Sequence, residues 1–187
     1  MRTWVSNTVM HSYPGMVALV TTEWAGKQNI MAAGWHSYIS YEPPIFGVAI
    51  AKERFSHQSI EQSGEFAINF VAEGYADYIQ YAGTISGHKS DKLEQLNASY
   101  TKGKEIGAPI LENAYIAYEC KVIDQRTYGD HDWFVGEIVG FYKDEAVFQD
   151  NGLPNWEKLS IPLYLGRSQY MIANKEAKVI DLYQDNK

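Results

Sequence analysis

Sulfur chemistry is nearly absent: Cys120 is the one cysteine in 187 residues. An internal disulfide is therefore impossible, and so is a metal cage built of cysteines alone. Its surroundings, Tyr118-Glu119-Cys120-Lys121-Val122, read as a strand, so a packed, inert thiol is expected. Long apolar runs are also lacking. No stretch approaches the ~20 residues of a membrane span, and no apolar secretory segment opens the chain. The expectation is a cytoplasmic protein with no membrane partner. Cations are scarce, 16 Lys and Arg against 23 Asp and Glu, for a net charge of −7. A nucleic-acid backbone needs a positive surface, so general nucleic-acid binding is excluded. A small phosphorylated ligand needs only about two or three local cations and is not.

Several catalytic signatures are missing as well. No G-x-G-x-x-G opens a helix and no P-loop occurs, so neither dinucleotide nor nucleoside-triphosphate fingerprints are present. His11, His36, His57, His88 and His131 never fall at a metal-binding helical spacing, and no metal site is expected. Ser63-Gly64 and Ser86-Gly87 lack the frame of a hydrolase elbow. Chemistry without a protein nucleophile is often chemistry carried by a cofactor.

What is abundant is aromatic surface: 14% of the chain, with 14 tyrosines. Apolar runs at residues 16–22, 45–50 and 65–71 read as strands. Trp24-Ala25-Gly26-Lys27-Gln28 reads as a hairpin turn, and Glu42-Pro43-Pro44 as a corner. Residues 57–63 suit a short helix with Ser56 as N-cap and Gly64 as its stop. Residues 75–85 have helical length, with Tyr75, Tyr78, Ile79 and Ala82 on one face. Long strands around a turn at residues 128–131 follow, then a polar excursion over 144–154 and an apolar segment with a central Gly166-Arg167. The first twelve residues suit a short strand or arm, and the tail after Asn174 has helical propensity. No repeat or linker appears, so residues 1–187 are expected to form one domain. Many strands, few helices and Gly/Pro corners favour a mainly β, antiparallel barrel with peripheral helices.

The candidate site centres on residues 29–44, NIMAAGWHSYISYEPP. Small side chains at Ala32, Ala33 and Gly34 let a ligand approach the backbone and its amides. A flat ring system with donors along one edge suits this stretch as a whole. Lys52, Arg54 and Ser56, just before the expected helix, suit a phosphate. The structural alternatives are a β-bulge at Ala32-Ala33-Gly34, solvated charges at Lys52 and Arg54, and a turn-capping pair at Asp130-His131. Trp35 and Tyr170 also suit the core or a subunit interface.

The ordered set of motifs resembles the flavin reductase-like FMN-binding family. It comprises P-G-x-V-A-L-V-T-T from Pro14, N-x-x-x-x-x-W-H-S from Asn29, S-Y-E-P-P from Ser40 and F-S-H-x-x-I from Phe55. G-E-F-A-I-N from Gly64, S-G-x-x-S-D-K-L from Ser86 and G-D-H from Gly129 complete it. The flavoredoxin and NAD(P)H:flavin oxidoreductase branch is the most similar. The resemblance spans residues 13–172 and implies a split β-barrel homodimer with FMN near the subunit interface. It places Asn29, Ala32, Ala33, Gly34, Trp35 and His36 along the ring, and Lys52, Arg54, Ser56, Ser86, Ser90 and Lys92 near the phosphate. His131, the candidate catalytic residue, would face the nicotinamide of NAD(P)H, with Trp35 and Tyr170 at the rim. The segment 144–161 matches none of these motifs. A non-enzymatic electron carrier, or a barrel holding haem through His131 or His36, are the alternative functions.

Overall fold

The computed structural model of the chain describes residues 1–6 and 13–182. Part of the expected N-terminal arm, with His11, lies outside the described residues. Among the described residues twelve strands carry the architecture: β1 (Gly15–Met16), β2 (Ala18–Trp24), β3 (Lys27–Ala33), β4 (His36–Tyr41), β5 (Pro44–Ala51), β6 (Glu65–Val71), β7 (Tyr100–Lys102), β8 (Pro109–Leu111), β9 (Ala114–Tyr128), β10 (His131–Lys143), β11 (Ile161–Gly166) and β12 (Gln169–Ala173). Three helices are added: α1 (Phe55–Ser63), α2 (Ala76–Thr84) and α3 (Lys92–Gln95).

The main sheet has seven strands in the order β3-β2-β6-β9-β10-β5-β4, and every pairing within it is antiparallel. Its two edge strands, β3 and β4, are separated in sequence only by Gly34 and Trp35. Three Cα–Cα steps span at most about 11 Å, so the sheet must curl until its edges nearly meet. A backbone bond from the Ala49 amide to the Trp35 carbonyl at 2.9 Å extends the β4–β5 ladder into that short connection. No ladder joins β3 to β4, and the barrel is left split along that seam.

Side chains alternate across the sheet as its pleat requires. On β2, Ala18 and Val20 point into the barrel core with Val48, Phe66, Ile68 and Phe134. Leu19, between them, points outward and packs with Ile30 against Tyr78, Ile79 and Ala82 of α2 and Leu93 of α3. Burying each of these large aliphatics contributes roughly 1.5–3 kcal/mol. This outer layer is what clamps α2 and α3 beside β3.

Most sequence-level expectations agree with these elements. Ala25 and Gly26 turn the β2–β3 hairpin with φ of 53° and 78°, and Gly64 ends α1 in the left-handed region at 71°. Three differ. Ser56 does not cap α1: Arg54 occupies the N-cap without a side-chain bond, and Ser56 lies in the first turn. Tyr75 precedes α2, in a short 3-10 turn, and is exposed. The tail over residues 175–182 forms no helix. The unassigned excursion, 144–161, has a packing role: Val147, Phe148, Trp156 and Leu159 join the barrel core. Among the described residues no helix is long and apolar enough to cross a membrane.

Candidate functional site

Beside that split, the gap between β3 and β5 opens into a pocket of about 190 Å³. β3 is hydrogen-bonded only to β2, so its outer edge presents unpaired main-chain groups to this opening. Met31, Ala32, Ala33 and Gly34 line that side, Ala49 and Ala51 the other, and Ala82 and Gly83 of α2 form the roof. Small residues on every face leave the room to the ligand. Trp35 and His131 form the rim, with ring centroids 4.7 Å apart, and His131 Nδ1 lies 2.8 Å from Asp130 Oδ1.

The far end is polar. Asn29, 2% exposed, donates through Nδ2 to Ser56 Oγ at 2.8 Å, and Ser56 is 1% exposed. Accepting from Asn29 leaves Ser56 its own hydroxyl proton to give. Arg54 and Ser56 line the pocket where the N-terminus of α1 opens onto it, a ready anion site. Ser86 and Gly87 come in from the loop after α2. A Cβ on Gly87 would fall 2.4 Å from Asn29 Oδ1, so only glycine lets this loop close over Asn29. Lys27 Nζ donates to the Gly87 carbonyl at 2.8 Å and sits 4.4 Å above the Phe55 ring, tying loop, β3 and α1 together.

Lys92 is the decisive group. It is 2% exposed, its Nζ donates to the Ala82 carbonyl at 3.1 Å, and no carboxylate pairs with it among the described residues. Burial lowers its pKa to about 8, and the neighbouring Arg54 charge adds to the effect. A buried ammonium without a counter-ion is costly unless something supplies the negative charge. The pocket's polar end is built for an anion, and its apolar end for something thin and flat.

The sequence candidates separate accordingly. Asn29, Ala32, Ala33, Gly34, Trp35, Arg54, Ser56, Ser86, Lys92 and His131 all line this one pocket. Four others lie elsewhere. Lys52 is drawn to Asp132 at 3.5 Å, in a cluster where Asp132 also accepts from His57, Gln125 and Thr127. Burial works against the Asp132 charge, yet those three bonds and Lys52 outweigh it and hold its carboxyl well below the usual range. His36 stacks on Phe46 and donates from Nε2 to the Met16 carbonyl, and burial lowers its pKa. Ser90 is outside the lining, and Tyr170 lines a second pocket. Sequence reasoning passed over Gly83 and Gly87. Gly83 had a readable signal, since a glycine inside a helical pattern usually marks close packing, here against Ala32.

Residues 10–173 match the family model described as flavin reductase like domain. The chain belongs to the flavin reductase-like family. Flavoredoxin of Desulfovibrio vulgaris is similar over its full length, with a TM-score of 0.86, 28% identity and 100% of each chain covered. An FMN-binding protein of Thermus thermophilus, in a structure with bound 1-cyclohex-2-enone, gives a TM-score of 0.85 and 32% identity, covering 96% of this chain and 100% of that one. An FMN reductase (NADH) of Agrobacterium fabrum is 26% identical over 138 residues, 72% of this chain and 77% of its own length. The split-barrel fold and family membership implied by the sequence motifs are borne out by these findings.

Proposed function

We propose that the chain is a single-domain FMN-dependent oxidoreductase that takes electrons from NAD(P)H. The observation that carries this reading is buried, uncompensated Lys92 facing the same pocket as Arg54, Ser56 and the free edge of β3. A flavin mononucleotide fits that donor set in both halves. Lys92, Arg54, Ser56, Ser86 and the N-terminal amides of α1 would hold its phosphate. The main chain from Ala32 to Gly34 would meet the edge of its ring, with Asn29 beside it and Trp35 and His131 at the rim. Bound flavin supplies two-electron chemistry that no side chain here can perform. The protein's share is orientation, exclusion of water by the alanine-lined walls, and main-chain donors fixed in place before the reaction.

Purified protein should be yellow, and anaerobic NADH or NADPH should bleach its flavin band. Colourless protein that takes up no added FMN would sink the reading. Full-length similarity to a flavoredoxin favours one rival, a carrier passing electrons between proteins. Failure of both nicotinamides, with rapid reduction by a protein donor, would decide for the carrier.

The protein is also read as a homodimer. Edge strand β4 exposes Tyr38, Ile39 and Tyr41, and ring contacts continue from Tyr38 through Tyr118 to exposed Phe141. A contiguous aromatic patch on an unpaired sheet edge favours association with a second copy. Light scattering on a sizing column should give twice the 21.2 kDa chain mass. A monomeric mass at micromolar concentration refutes it.

A further inference from the structure

Asp132 and His57 line neither pocket, yet each stands one residue from a group that lines the candidate site. His131 precedes Asp132 on β10, and the alternation of the strand sends the two to opposite faces. His131 meets Trp35 at the rim, while Asp132, 4% exposed, shares the inner face with Phe134 of the barrel core. Ser56 precedes His57 in the first turn of α1. Ser56 lines the polar end of the site; His57, 7% exposed, turns to Asp132 and lies edge-on to Phe134, with ring centroids 5.2 Å apart.

Three segments meet at Asp132. Its Oδ2 accepts from His57 Nε2 and Gln125 Nε2, both at 2.8 Å. Its Oδ1 accepts from Thr127 Oγ1 at 2.7 Å, with Lys52 Nζ at 3.5 Å. His57 comes from α1, Lys52 from the connection that leads into it, and Gln125 and Thr127 from β9. Among the described residues, the side-chain hydrogen bonds and ion pairs that join residues 52–63 to the β9–β10 hairpin all end on Asp132 or on Thr127 beside it. Both carboxylate oxygens carry donors, and losing one leaves a buried charge short of a partner. The network therefore holds α1 against the hairpin in one geometry.

We propose that His57 and Asp132 are positioning residues, a strap behind the site that sets the span between its rim, His131 with Trp35, and its anion end, Ser56 with Arg54. The inference rests on the flavin reading, because the span matters only to a ligand that engages both ends. For such a ligand the two sets of contacts reinforce each other only when their spacing is fixed beforehand. A ligand that reaches one end alone gains nothing from the strap. That contrast separates positioning from general support of the fold, whose loss would weaken every ligand together.

Three probes test it: FMN, riboflavin, which lacks the phosphate, and inorganic phosphate, which lacks the ring. His57→Leu removes the strap, whereas His57→Gln keeps an amide donor as many bonds from Cα as Nε2. By flavin fluorescence, His57→Leu should bind FMN at least about 10-fold more weakly, the loss of one charge-assisted hydrogen bond. Riboflavin, and phosphate followed by phosphorus NMR, should bind as they do to the wild type, and His57→Gln should recover most of the FMN affinity. At saturating FMN, anaerobic reduction of His57→Leu by NADH should still be slowed about 10- to 100-fold, the cost of a ring misplaced by about 1 Å. Asp132→Asn, isosteric with the aspartate, should reproduce the pattern, and it carries the comparison if the leucine variant does not fold. Riboflavin and phosphate weakened in step with FMN, a glutamine variant no better than leucine, or FMN affinity unchanged in the variants each overturns the proposal. Wild-type protein that takes up no FMN defeats the flavin reading and the strap with it; wild-type binding with unaltered variants defeats the strap alone.

Discussion

Replacing Lys92 with methionine will stabilise the ligand-free protein and cripple its hold on FMN. The side chain is buried beside Arg54 without a carboxylate, so the fold retains a charge it would be more stable without. A folded pKa of about 8 against an ordinary 10.5 corresponds to roughly 3 kcal/mol at neutral pH. Methionine removes that cost but leaves the Ala82 carbonyl unbonded, for a net gain of about 1–2 kcal/mol and a few degrees of melting temperature. The pH dependence follows from the sign. The folded pKa lies below the unfolded one, so between about 8 and 10.5 the unfolded chain binds more protons and wild-type stability rises with pH. The advantage of the variant should shrink across that window.

Binding moves the other way. Loss of one charged donor to a phosphate costs about 1.5–3 kcal/mol, a 10- to 150-fold weaker Kd. Wild-type affinity should also fall above pH 8 as Lys92 loses its proton, while the variant's stays flat there. Differential scanning fluorimetry and fluorescence titration with FMN from pH 6.5 to 9.5 read both effects. A methionine variant that melts lower and binds FMN unchanged would remove Lys92 from the site.

Legibility from the sequence followed the range of the forces involved. β6 was readable to the residue, because a largely apolar run, interrupted only by Asn69, follows Glu65 and a glycine whose φ of 71° ends α1. The β9–β10 hairpin was readable for the same reason, with Gly129 at φ 64° in its turn. Ser56 misled: as a capping residue it fits the local pattern, but its hydroxyl is committed to Asn29, 27 positions away. Lys52 looked like the partner of Arg54, yet Asp132, on the neighbouring strand β10, holds it at 3.5 Å. Neither pairing leaves a trace in local periodicity. Tyr170 was placed with the flavin-site residues on motif order, whereas its bond to Gln80 of α2 sets it in the second pocket. Local order fixes which strands exist; only the curl of the sheet decides which of their polar residues share a pocket.

Two glycine-to-alanine changes four residues apart should act with opposite signs. At Gly87 the new Cβ would stand 2.4 Å from Asn29 Oδ1 and 2.8 Å from its Cγ, closer than real contacts allow. Asn29 has no room to yield, since it is buried and its amide is spent on Ser56. The loop has little room either, because Lys27 holds the Gly87 carbonyl at 2.8 Å. One of those bonds must break, so Gly87→Ala should cost about 1–3 kcal/mol in stability and weaken FMN binding about 10- to 100-fold through the displaced Asn29–Ser56 pair. At Gly83 the added Cβ would meet only the Ala32 Cβ at 3.4 Å, an ordinary contact, within α2. Alanine is a better helix former by up to about 1 kcal/mol, so Gly83→Ala should leave the melting temperature unchanged or raised. Parallel melting curves and FMN titrations of the two variants read the contrast. Gly87→Ala with wild-type FMN affinity would show that the loop after α2 takes no part in holding the cofactor.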